Sequence, residues 1–554
     1  MNKNKVMVIA IDGATWDVLD PMIERGAMPN LKKLMDENFS SQLNSTIPPV
    51  TAPAWASFIT GTNPAKHGIF DFARRQPGSY KSSMNNANSI KTKTLWQILT
   101  EQGKTVGTIN LPMTYPPTEV NGFMIPGFLA PGVSSQKILT HPIDLIDEIN
   151  REVGSYQIFL EASPKALIHA EGKSEFLAKC EKIVQKRGET ARFLYQKYQP
   201  DFFMVHFLMT DVVQHWFWHC LDETHPAHDS AEAAEIVPAL EKFYHTVDEN
   251  VGKLIELLDS DTTLLVLSDH GFGPLHSNIY LNRWFYEKKY LKLNTGKKTA
   301  IQTIRRVIAA IDVFNLRNRL LPSGKRRVAL EKSLQHDFLI NWEKTRCTAV
   351  PASIYGNVFL NIKGRDESGA LESGAIVKKF KHELISELAT ISDPVTGNTA
   401  VEKTYSIEEI FPGNNEGIAP DLLVRPADGF AIFSQLNEQQ IFRPTKPWED
   451  ITGTHRVEGI FLAKGEKIVS AKNRAADAAI IDLAPTILYL LGLPIPDSMD
   501  GKVLTEAIDE KILQKAPPQF TSDSGEKSEG EASGYSEEEE ELIRKRLQGL
   551  GYLE

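Results

Sequence analysis

Through the first half of the chain, short β-branched and large apolar runs alternate with stretches of helical periodicity. This pattern predicts a mostly parallel sheet with helices on both faces. Residues 6–11 read as a first strand that ends at Asp12. Residues 94–102 have helical periodicity and lead through Gly103 to a strand over 106–110. A helix over 175–197 precedes 201–209, a continuous apolar run of the kind a buried central strand shows. A helical region over 231–258, interrupted near Pro238, then leads to a strand over 262–267 that delivers Ser268, Asp269 and His270. Further on, 355–362 and 421–425 read as strands and 375–390 and 482–491 as helices, the last stopped by Gly492 and Pro494.

The pattern changes between about 275 and 341. Lys297, Lys298, Arg305, Arg306, Arg317, Arg319, Lys325, Arg326 and Arg327 surround Ile301, Ile304, Ile308 and Ile311, which share one helical face. This predicts a basic amphipathic cap, part of an insert over about 275–400 in a catalytic domain spanning 1–510. A solvated helix packing its apolar stripe on the domain is one reading; a lid attracting anionic substrates, or a peripheral contact with a lipid surface, is the other. Residues 516–534 are rich in Pro, Ser, Gly and Glu and predict a flexible linker. Ser536 and Glu539 form a capping box that opens a helix within 535–554. Its stripe of Ile543, Leu547 and Leu550 predicts docking on the body or on a second copy in a homo-oligomer.

Composition narrows the class. A chain of 554 residues that is 42% hydrophobic can bury at least one large core. Its net charge of −10 argues against a broad surface for a nucleic-acid polymer. Cys180, Cys220 and Cys347 are too few and too irregularly spaced for a disulfide framework or a Cys-based zinc knuckle. The apolar run at 6–11 is too short for a signal sequence, and no window reaches the roughly 20 apolar residues of a membrane helix. A cytoplasmic protein is the expectation.

The chemistry-bearing residues gather where strands should end. Asp12, Asp211, His215, Asp269, His270 and His455 are three carboxylates and three imidazoles, a set that can hold two divalent cations and clamp a phosphoryl group. Each is ordinary alone: Asp12 before Gly13 suits a turn, and His455 in Gly453-Thr454-His455-Arg456 suits an exposed polar loop. Asp211 and His215 are four apart, so a helix there sends both from one face. Thr51 lies in a turn among Pro48, Pro49 and Pro53, where its plain role is a helix N-cap. A helix N-terminus also attracts phosphate, and a hydroxyl there is placed to be a nucleophile.

These segments resemble the alkaline phosphatase superfamily, and within it the type I phosphodiesterase/nucleotide pyrophosphatase family. The resemblance rests on Ile11-Asp12-Gly13, Thr51 followed by Thr60-Gly61 and His67-Gly68-Ile69, Asp211 with His215, Ser268-Asp269-His270-Gly271, and Gly453-Thr454-His455, in that order. It covers roughly the first 500 residues and is weakest across the basic insert. It implies an alkaline-phosphatase-like α/β fold, a central mostly parallel sheet flanked by helices with an inserted cap. It also implies that Asp211, His215 and His455 hold one metal ion, and that Asp12, Asp269 and His270 hold the other, to which Thr51 binds. Zinc is the first choice for such mixed ligands and manganese the second. The implied activity is hydrolysis of a small phosphorylated substrate, a phosphodiester or phosphomonoester, through a phosphothreonine on Thr51.

The chain departs from that pattern at Ile69-Phe70-Asp71-Phe72, where nucleotide pyrophosphatases resembling it carry an Asn, and this argues against nucleotide diesters. Thr51-Ala52-Pro53-Ala54-Trp55 also resembles a sulfatase nucleophile motif but lacks the modifiable Cys or Ser and the following Arg. A phosphomutase-like phosphotransferase would share the ligands but use Ser in place of Thr51. The reading from a different class is a catalytically weak binding or regulatory protein of this fold, engaging a membrane surface or a protein partner.

Overall fold

The strand Lys5–Ile11 pairs in parallel on both sides, with Phe202–Phe207 and with Thr262–Leu267. Both partners are buried at every position, as is the central strand beyond Lys5, so all three read as apolar runs rather than as alternating ones. The computed structural model describes residues 4–131, 139–160, 162–294, 339–350, 354–411, 419–436, 440–473, 478–523, 525 and 534–552. These three strands are the middle of an eight-stranded sheet. Its order is Lys472–Asn473, Phe39–Asn44, Glu458–Lys464, Thr262–Leu267, Lys5–Ile11, Phe202–Phe207, Val106–Leu111 and Gly122–Pro126. Glu458–Lys464 runs antiparallel to both its neighbours, and the other seven strands share one direction.

Register brings the site together. Ile11 pairs with Phe207 and Ala10 with Leu267, so the chain leaves three strands at one sheet edge, into Asp12, into the segment reaching Asp211, and into Ser268-Asp269-His270. The antiparallel strand enters at that same edge, because Phe461 pairs with Leu267, which brings His455 in just ahead of it. Asn44 pairs with Glu458, so the stretch leading to Thr51 starts there too. Chemistry at the carboxyl ends of strands is the general behaviour of open α/β sheets.

Helices Lys173–Tyr198 and Ser230–Ile255 pack on each other, and the first lies against the Val106–Leu111 and Phe202–Phe207 strands. Ser230–Ile255 is continuous through Pro238, where the sequence predicts an interruption. Pro238 and Ala234, whose carbonyl loses its partner, both face solvent, so the orphaned group is open to water and the helix can continue.

A smaller lobe has its own core, built on Leu281, Phe285, Val358, Phe380, Leu384 and Val424. Its four-stranded antiparallel sheet runs Cys347–Val350, Gly356–Leu360, Leu422–Pro426, Val401–Ser406, with helix Ala375–Leu388 beside it. The lobe thus extends beyond residue 400, because its inner strand Leu422–Pro426 comes from later in the chain. Gly271–Tyr280, a ten-residue strand, links the two cores. The basic stripe around Ile301, Ile304, Ile308 and Ile311 lies outside the described residues. Among the described residues, no helix is long and apolar enough to cross a membrane.

The stretch read as a linker from 516 is paired at its start: Phe520–Thr521 adds in parallel to Ile495–Pro496. Backbone hydrogen bonds there need no apolar side chains, which is why composition does not reveal them. Helix Glu537–Leu550 has the expected capping box, and Ile543, Leu547 and Leu550 are buried against the body of the same chain. The stripe thus packs on the body, one of the two dockings it predicts.

Candidate active site

All seven residues singled out in the sequence meet at this sheet edge, each no more than 1% exposed. Thr51 is the first residue of helix Thr51–Thr60, preceded by the extended Val50, rather than the turn or N-cap residue the prolines suggest. Asp211 and His215 lie one turn apart on helix Met209–Leu221, as their spacing predicts. His455 is on strand Gly453–Arg456, paired with Gly271–Tyr280, and not in an exposed loop. Its neighbour Arg456 leaves the opposite face of the strand and donates to the His455 and Pro274 carbonyls.

Three imidazoles share one arrangement. His215 Nδ1 lies 2.9 Å from the Gly453 carbonyl, His455 Nδ1 3.0 Å from that of Pro49, and His270 Nδ1 3.1 Å from that of Gly271. A ring nitrogen facing a carbonyl carries the proton, so each Nε2 is left as a lone pair aimed inward, the tautomer a metal ligand needs. His215 Nε2 and His455 Nε2 are 3.0 Å apart, a spacing two bare lone pairs hold only with a cation or proton between them.

The carboxylates complete two groups. Asp211 Oδ1 is 3.1 Å from His455 Nε2, and Asp211 Oδ2 is 3.6 Å from His215 Nε2. His270 Nε2 lies 3.5 Å from Asp12 Oδ1, 3.4 Å from Asp269 Oδ2 and 3.3 Å from Thr51 Oγ1. It also stands 3.9 Å from Asp211 Oδ1, between the two groups. Ligand atoms of Asp12, Asp269 and His270 fall within 4.8 Å of one another, as do those of Asp211, His270 and His455.

The donor set fits divalent cations. Asp12 Oδ1, Asp211 Oδ1 and Asp269 Oδ2 are buried without a hydrogen-bond partner, and three such oxygens crowded together are costly unless positive charge joins them. Burial, reinforced by Asp269 and Asp211, holds the Asp12 carboxyl well above the usual carboxylate range. Burial and then Asp211 push Asp269 up to about 8. Burial also lowers His215 to about 4 and His455 to about 3, and takes His270 well below its ordinary value, so all three are neutral bases.

A pH dependence follows for the metal-free protein. A carboxyl whose folded pKa is raised contributes stability below its unfolded value and loses it as pH rises to the folded value. The buried imidazoles act oppositely, but their contribution is complete once pH exceeds the unfolded value near 6.5. Between about pH 7 and 8 the chelated protein should therefore lose stability, on the order of 1 kcal/mol, as Asp269 ionises. Thermal melts with and without added Zn2+ check this, and a bound cation should flatten the slope.

Two residues went unrecognised in the sequence. His206 Nε2 lies 2.6 Å from Asp12 Oδ2, and its Nδ1 is 3.1 Å from the Asn110 carbonyl, so it fixes the carboxylate from behind. It is the one polar side chain in Phe202–Phe207, a signal the apolar run carried. Tyr552, just beyond the last helix, donates to Asp211 Oδ2. His67, by contrast, is structural: it bonds Ser57 Oγ at 2.9 Å and the Ile69 N–H at 3.1 Å. Asp71, at the departure from the family pattern, accepts from the Phe72 N–H and from Asn357 Nδ2, so it ties the site's flank to the smaller lobe.

A mostly parallel sheet with this Asp and His cluster along one edge is an alkaline-phosphatase-like α/β architecture. The type I phosphodiesterase / nucleotide pyrophosphatase family model matches residues 6–455. The chain belongs to that family, within the alkaline phosphatase superfamily. Phosphonoacetate hydrolase from Sinorhizobium meliloti 1021, solved with phosphonoacetate, shares the fold at 15% identity, covering 89% of this chain and 95% of its own, with a TM-score of 0.50. Human ectonucleotide pyrophosphatase / phosphodiesterase 5 aligns at 15% identity over 92% of this chain and 99% of its own, with a TM-score of 0.48. No curated protein matches the chain by sequence. Family membership supports a phosphoester hydrolase.

Proposed function

We propose that this chain is a two-metal phosphoester hydrolase with Thr51 as its nucleophile. The observation that carries the reading is the fully buried Thr51 Oγ1 at a helix start, 3.3 Å from the His270 Nε2 that itself faces Asp12 and Asp269. Asp211, His215 and His455 would hold one ion, and Asp12, Asp269 and His270, with Thr51, the other. When bound, the ions supply positive charge for the phosphoryl oxygens and favour the ionised threonine hydroxyl. Zinc suits mixed imidazole and carboxylate donors best, with manganese second.

The chain's own groups do the rest. The N–H groups of Thr51 and Ala52, at the start of helix Thr51–Thr60, offer positive potential to an anionic substrate. Thr51 Oγ1 attacks phosphorus, an O–P bond forms, and the leaving alcohol or phosphate departs with the bonding pair. Water then attacks the phosphothreonine, releasing phosphate or a monoester and returning the hydroxyl. His206, anchored on Asn110, keeps Asp12 in place through both steps. The free, buried Cys180, Cys220 and Cys347 fit a reducing, cytoplasmic setting.

The test offers a chromogenic phosphodiester and a chromogenic phosphomonoester to the full chain with zinc, manganese or a chelator. At least one ester should be cleaved with metal and neither with chelator. Survival of both under every metal would sink the reading.

A further inference from the structure

We infer that Tyr552 is a positioning residue of the metal centre, so that the segment after the last helix is part of the active site. This rests on reading Asp211 as a metal ligand. The Tyr552 hydroxyl donates to Asp211 Oδ2, while Asp211 Oδ1 has no hydrogen-bond partner and points to His455 Nε2 at 3.1 Å. One carboxylate oxygen is thus occupied by the phenol and the other is left for a cation. Hydrogen bonds to ligating carboxylates orient them and raise metal affinity.

The side chain is held for that task. Tyr552 is 1% exposed, its ring centroid 5.3 Å from that of Phe72 and 5.8 Å from that of Phe128, with those of His215 and His455 at 5.6 and 5.7 Å in T-shaped contact. Helix Glu537–Leu550 ends at Gly551, whose φ of 92° turns the chain, and the Tyr552 N–H closes back on the Leu547 carbonyl at 2.9 Å. That reversal sends the phenol inward. The helix is anchored to one segment beside the site: Arg546 Nη1 donates to the Phe128 and Ala130 carbonyls, and Tyr535 donates to that of Leu129 at 3.1 Å. The Met84 N–H donates to Glu540 at 2.7 Å. A helix serving only to cover apolar surface would not need a terminal tyrosine reaching Asp211.

The experiment measures Zn2+ affinity by chelator competition on the full-length protein, its Tyr552→Phe and Asp211→Asn variants, and a chain lacking residues 535–554. The visible absorption of the Co2+-loaded proteins is recorded alongside. Tyr552→Phe keeps the ring and its packing but leaves the buried Asp211 Oδ2 without its donor, so the metal-free protein should stay folded and melt only slightly lower. Its affinity at the site that Asp211→Asn abolishes should fall about 10-fold, and its Co2+ spectrum should change. Wild-type affinity and an unchanged spectrum in Tyr552→Phe would overturn the inference. So would a truncated chain that binds metal as before and turns over faster, since the segment would then be a plug. If Asp211→Asn binds as many ions as the wild type, the ligand reading itself fails, a result distinct from failure of Tyr552 alone.

Discussion

Thr51→Ala is expected to lower kcat for phosphoester cleavage on the order of 10⁴-fold while leaving the fold intact. Thr51 Oγ1 reaches His270 Nε2, and alanine at the first helical position carries no backbone penalty. The lost methyl and hydroxyl leave a small cavity, a cost of about 1 kcal/mol, too little to unfold the domain. The residual rate reflects the site's charges and positioning, which survive removal of the nucleophile. Thr51→Ser keeps an oxygen at the same atom and should retain a measurable fraction of activity, which separates nucleophilic loss from misfolding. Acid-quenched turnover followed by peptide mass analysis should find a phosphoryl group on the Thr51 peptide of the parent and none in Thr51→Ala. Equal phosphoryl incorporation in both would remove Thr51 from the reaction.

Asp269→Asn should separate stability from function. Asp269 Oδ1 accepts from the Gly13 N–H at 3.3 Å, and an amide oxygen can keep that bond. The other oxygen, Oδ2, is buried and unpartnered, and the carboxyl is pushed up to about 8 by burial and by Asp211. The amide never ionises, so the variant should escape the loss of stability, on the order of 1 kcal/mol, that this carboxyl inflicts on the metal-free protein between pH 7 and 8. Without the negative charge it should also bind fewer ions and lose on the order of 10³-fold in turnover. Melts at both pH values, metal content and kcat on one preparation test this together. A variant that melts lower than the parent at pH 8 in chelator, or that keeps full metal content, contradicts the account of this cluster.

The legibility of the chain differs from element to element for physical reasons. The runs at Lys5–Ile11, Phe202–Phe207 and Thr262–Leu267 were visible because strands buried on both faces must be apolar throughout. Asp211 and His215, four residues apart, share a face only if the chain there is helical, and Met209–Leu221 meets that condition, while the capping box at Ser536 announced the last helix. Pro238 misled because its cost depends on whether the orphaned carbonyl meets water, and that is decided by which face is exposed. His206 was hidden inside an apolar strand whose other residues define it.

Local residue order therefore determined the four buried strands at the middle of the sheet, the long helices and the kinds of side chain that end them, since propensity, capping and burial act over a few residues. Tertiary structure alone decided that these ends converge. The antiparallel insertion of Glu458–Lys464 beside Thr262–Leu267 carries His455 to Asp211 across 244 positions, and a buried C-terminal turn carries Tyr552 to the same carboxylate across 341. Pairing between such distant segments is chosen by the burial and hydrogen bonding of the whole sheet, a balance that no short stretch of the chain encodes.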